Sequence, residues 1–145
     1  MFNNEMEPRV LEDGMAYVRK HPQMFFGERK PNARDCLQLL VGEVLASGAQ
    51  DLGIRLIDEW WIISSPFDWL SGIELNQVFN RIIAFPEMAQ NAMRVEVVIA
   101  AFANEAATFG ARTGRVTVKG QVPPDMIWAE MERSERSIAF RFEPD

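Results

Sequence analysis

In Ser137-Ile-Ala-Phe-Arg-Phe142, Ile138, Phe140 and Phe142 alternate with smaller or polar neighbours. A period of two puts those three side chains on one side of a β-strand. Working upstream, Arg115-Val-Thr-Val-Lys119 alternates in the same way, with Thr113-Gly114 as the turn before it and residues 108–112 as its partner strand. Between these strands Pro123-Pro124 breaks the chain, and residues 127–131 fit a helix or a strand equally. Further upstream, residues 54–57 and 60–63 flank Asp58-Glu59, which predicts a hairpin with a two-residue connection. Asp-Glu is a poor pair for such a turn, and residues 64–72, around Pro66, read as irregular.

The first half has helical spacing instead. Residues 11–20 predict a short helix with Leu11, Met15 and Val18 on one side, followed by a loop from 22 to 31 that contains Met24-Phe25-Phe26-Gly27. Asn32 then suits an N-cap, Asp35 falls at the third helical position, and Leu37, Leu40, Val41, Val44 and Leu45 form an apolar stripe. Gly48 and Gly53 bracket the end of that helix. Residues 75–83 have helical spacing, and Met88, Ala92, Val95, Ile99, Phe102 and Ala106 predict one long helix. Early helices and a mainly late antiparallel sheet make an α+β two-layer sandwich, with the helices on one face.

The whole chain, residues 1–145, reads as a single domain: 16.5 kDa, 48% hydrophobic and 25% charged. Fifteen basic against twenty-one acidic residues give a charge of −6, which disfavours nucleic acid and anionic membranes as partners. The polar, acidic start Met1-Phe-Asn-Asn-Glu-Met-Glu-Pro lacks the pattern of a secretory signal, and the most apolar run, residues 95–103, is far shorter than the roughly 20 residues of a membrane span. With a lone Cys36, this predicts a cytoplasmic location. One cysteine and one histidine, His21, leave no disulfide and no histidine-rich metal site, and neither a Walker-type phosphate loop nor a cysteine zinc motif is present.

Three segments carry a family resemblance. Val18-Arg-Lys-His-Pro-Gln-Met-Phe-Phe-Gly27 resembles the V-R-K-R-P-G-M-Y-I-G segment of the gyrase B type of ATPase domain, found in DNA gyrase and topoisomerase IV. Leu37-Gln-Leu-Leu-Val-Gly-Glu-Val-Leu-Ala-Ser-Gly-Ala-Gln50 is similar to the first ATPase helix of that family, and Arg136-Ser-Ile-Ala-Phe-Arg-Phe-Glu-Pro-Asp145 to its closing strand. The resemblance runs from about residue 15 to 145 and implies the sandwich of the gyrase, Hsp90, histidine kinase and MutL (GHKL, or Bergerat) superfamily, which binds ATP and magnesium between helices and sheet.

Carried across position by position, the resemblance keeps the general-base carboxylate at Glu43 and loses most of the rest. The magnesium asparagine falls on Ser47, an acidic position on Ala46, the adenine aspartate on Ser65, two loop glycines on Phe67 and Trp69, and the supporting threonine on Ile138. The second glycine-rich loop is replaced by Ala89-Gln-Asn-Ala-Met-Arg94. Glycine lets a backbone approach a phosphate or purine closely, and bulky rings at Phe67 and Trp69 remove that approach.

The expectation is therefore a pseudo-ATPase without cofactor or metal, acting as a protein-binding module of the inhibitor, immunity or regulatory type. Weak ATP and magnesium binding through Glu43, and a structural homo-oligomer, are the alternatives. Trp60 and Trp61 are adjacent on a strand, so they face opposite ways: one packs under the helices, and the other is covered or serves as an interaction anchor. Phe67 and Trp69 either plug the former cleft or present a docking surface. Arg19, Lys20 and His21 are anion binders or, preferably, packing residues, and Cys36 is a packing residue.

Overall fold

A computed structural model of the chain describes residues 14–144. The elements in order are α1 (Gly14–Lys20), α2 (Gln23–Phe26), α3 (Ala33–Ala46), β1 (Gly53–Ile57), β2 (Trp60–Ser65), α4 (Leu75–Val78), α5 (Glu96–Phe102), β3 (Glu105–Gly110), β4 (Gly114–Lys119), α6 (Asp125–Met131) and β5 (Arg136–Arg141). The strands form one antiparallel sheet in the order β1-β2-β5-β3-β4. This is an α+β fold. The expected residues 11–13 of the first helix lie outside the described part of the chain.

The alternation in β5 works as predicted. Ile138 and Phe140 enter the main core with Ile63 of β2, Leu40 and Val44 of α3, and Val97, Val98 and Ile99 of α5. Ala139, on the other side, joins Trp60, Ile62 and Ala107 beneath Ile127, Trp128 and Met131 of α6. The ambiguous segment at 127–131 is thus helical, and α6 adds cover on the second face of the sheet to the helices expected on the first. Its start at Pro124 has a local cause, since proline cannot continue a strand ladder but fits a helix entry.

Asn32 caps α3 as expected: its side chain accepts from the Asp35 backbone N–H at 2.9 Å. Ser47 and Gly48 (φ 110°) end that helix. The hairpin β1–β2 has the predicted two-residue connection, with Ile57 opposite Trp60 and with Asp58 and Glu59 both at positive φ (49° and 69°).

Three expectations need correction. The loop at 22–31 contains the single-turn α2, and the helix expected at 75–83 stops at Val78. The long helix expected from Met88 to Ala106 does not form. Only α5 is helical there, Met88 is exposed and Ala106 lies in β3. Residues 83–94 instead fold back on themselves: Arg94 N–H donates to Ile83 O (2.8 Å), Phe85 N–H to Ala92 O (2.9 Å), and Asn91 sits at φ 69°. A left-handed residue cannot propagate an α-helix, so the apolar period at 88 and 92 does not connect to that of α5.

Candidate functional site

Glu43 lies on the inner side of α3 and is fully buried. The fold-back at 83–94 delivers its partners. Glu43 Oε1 accepts the Val95 backbone N–H at 2.6 Å, and Oε2 accepts Arg94 Nη1 at 3.1 Å. The carboxylate thereby meets an unsatisfied donor at the start of α5 and a guanidinium that is itself 4.4 Å above the Phe85 ring. Both oxygens of Glu43 are committed inside the protein.

Beside it stands a second carboxyl that the sequence pattern did not single out. Glu96, the first residue of α5, is fully buried; its Oε2 accepts Trp69 Nε1–H at 3.2 Å. Its Oε1 has no conventional partner. Burial first, and then the charge and proximity of Glu43, push Glu96 well above the usual carboxyl range. Glu96 therefore holds a proton where an exposed glutamate has lost it. The signal was present in the sequence, since Glu96 is the one charged residue in the apolar run 95–103.

Ser47, Phe67 and Trp69 do converge, lining a shallow recess of about 260 Å³ with Ala46, Phe85 and Arg94. Ser47 Oγ donates to its own helix at Glu43 O (2.8 Å), Trp69 is buried, and Phe67 is 44% exposed at the rim. Ser65 and Ile138 stand elsewhere. Ser65 Oγ donates to Asp51 O (2.8 Å) and accepts Phe67 N–H (3.0 Å), and Ile138 is core.

The two neighbouring tryptophans face opposite ways. Trp61 is half-buried against the main core, and Trp60 is buried under α6. Trp60 and Trp69 thus take the covered alternative and offer no exposed anchor, whereas Trp61 keeps partial exposure and Phe67 is exposed.

His21 stacks on Tyr17, with ring centroids 4.3 Å apart, and its Nδ1 bonds the Tyr17 carbonyl oxygen. Cys36 is buried, and that burial pushes its thiol up to about 12, so it is unreactive packing. Another polar site was not foreseen. Arg136, buried at the start of β5, bonds Asp68 with Nε and Nη2 (2.8 and 3.3 Å) and Thr108 Oγ1 with Nη1 (3.1 Å). Gly110 makes room for it, since a Cβ there would stand 2.5 Å from Nη2.

Among the described residues no three His, Cys, Asp or Glu side chains gather to hold a metal ion, and no helix is long and apolar enough to cross a membrane. Compared with known proteins, the chain matches no family model, no curated protein and no solved structure.

Proposed function

We propose that this chain is a non-catalytic, gyrase-type ATPase-like domain that works by binding another protein. The observation that supports this reading is the commitment of Glu43, whose two oxygens are taken by Val95 N–H and Arg94 and whose carboxylate is fully buried. A general base needs reach to a water and a substrate, and this one has neither. The donor set does not suit a magnesium triphosphate: Ser47 bonds its own helix, and the Trp69 ring lies inside the protein against Glu96. A protein-facing role draws support from β1, an edge strand with Ile54 42% and Leu56 55% exposed. Such an edge offers unpaired backbone groups to an added strand. The net charge of −6 favours a basic partner.

Calorimetric titration with ATP and magnesium is expected to give no saturable heat. Micromolar binding that disappears in Glu43→Gln would sink the proposal in favour of a residual ATPase. The same exposed edge also suits a second copy of the chain, so light scattering after size exclusion is the companion measurement. A monomer across a tenfold concentration range supports a heterologous partner, and a dimer dispersed by Leu56→Lys supports the homo-oligomer.

A further inference from the structure

A recess of about 390 Å³ is built from α1, α4, the end of α5 and β4, and none of Glu43, Arg94, Val95 and Glu96 lines it. Its walls are mainly apolar, formed by Met15, Leu75, Phe79 and Val118, with the amides Asn76 and Asn80 between them. Its charged side chains are Arg19 and Lys119, and among the described residues no carboxylate lines it, although acidic residues outnumber basic ones 21 to 15 in the chain. Arg19 is exposed and has no ion-pair partner among the described residues. Lys119 Nζ donates to Ala101 O at 3.2 Å, at the C-terminal turn of α5, which leaves two of its three donors for other use. Both cations line the same recess, and burial, and then the Arg19 charge, hold that ammonium below the usual lysine range. Two cations without a carboxylate partner among the described residues, set beside apolar walls, are complementary to one kind of guest.

We propose that this recess binds a small amphipathic monoanion, a carboxylate carried on a short apolar chain or ring, with Arg19 and Lys119 on the carboxylate and Leu75, Phe79 and Val118 around the body. The volume lies within the range of small-molecule pockets. A guanidinium and an ammonium match a single carboxylate, whereas a polyphosphate needs more cations to offset its desolvation.

The test uses the full chain and sodium octanoate, followed through the methyl signals of Leu75, Val116 and Val118 by NMR. Saturable shifts with a Kd of about 0.1–1 mM are expected, an affinity ordinary for a ligand of this size. Octan-1-ol and inorganic phosphate should each bind at least tenfold more weakly, because each lacks one half of the recognition. Arg19→Gln should weaken octanoate at least tenfold at unchanged melting temperature, since the side chain is exposed; should Lys119→Gln unfold through loss of its α5 contact, the Arg19 variant decides alone. No saturation by about 10 mM octanoate overturns the proposal. Equal binding of octanol or of phosphate overturns it as well, as does indifference to Arg19→Gln. None of these outcomes bears on the Glu43 site, which ATP titration tests separately.

Discussion

At Glu96 a carboxyl group has lost its water, has one oxygen without a conventional partner and faces another carboxylate. In the unfolded chain the same group ionises normally. Because its folded value is raised, its contribution to stability is complete below the unfolded range and is lost as pH rises toward the folded value. Glu96→Gln keeps an acceptor for Trp69 Nε1–H and cannot ionise. Urea denaturation from pH 5.5 to 8 should show the variant gaining on the wild type as pH rises, by at most about 1.4 kcal/mol per unit. A pH-independent difference would refute the protonated pair. Trp69 closes the same cluster at 3% exposure. Trp69→Gly should cost about 3–5 kcal/mol through the cavity it leaves, read as a lower denaturation midpoint at unchanged m-value. Loss below about 1 kcal/mol would mean that the ring is not structural. Glu43 was singled out in the sequence only through the resemblance of residues 37–50 to a known ATPase helix. Its partners were not, because Arg94 and Val95 reach it across fifty residues of chain.

At the scale of elements, local rules held where the deciding chemistry is local. The Asn32 cap, the β1–β2 connection and the alternation in β5 follow from residues within a few positions of one another. The expected long helix failed because apolar spacing continues through residues 88–95 while the backbone turns at Asn91. Periodicity reports which side chains want burial and says nothing of a reversal between them. The hairpin turn carries a cost of its own, since two residues with side chains occupy left-handed conformations at Asp58 and Glu59. Replacing them with Asn-Gly should stabilise the protein by about 0.5–1.5 kcal/mol, even after loss of the exposed Glu59–Arg141 contact. A lower melting temperature in the Asp58→Asn, Glu59→Gly variant would refute that account.

Across the whole molecule, Arg136 ties the segment after β2 to the centre of the sheet through Asp68 and Thr108. Its side chain is 2% exposed, so removing the acid leaves an uncompensated buried charge. Asp68→Asn should therefore destabilise by about 3 kcal/mol, and Asp68→Asn combined with Arg136→Met should recover part of the loss; a double variant no more stable than Asp68→Asn alone would contradict this. The sequence indicated the α+β class and the antiparallel sheet. It did not indicate that α6 covers the second face, because seven residues with Ile127, Trp128 and Met131 satisfy either period.

Strand order imposes a schedule on assembly. The hairpins β1–β2 and β3–β4 share no hydrogen bonds, and β5 is the wedge that joins them. While residues 136–141 remain inside a ribosome tunnel, each hairpin carries an open flank and the two halves have no common ladder. A nascent chain arrested before Arg136 should be protease-sensitive throughout, and supplying that hexapeptide's stretch in trans should seal both halves together.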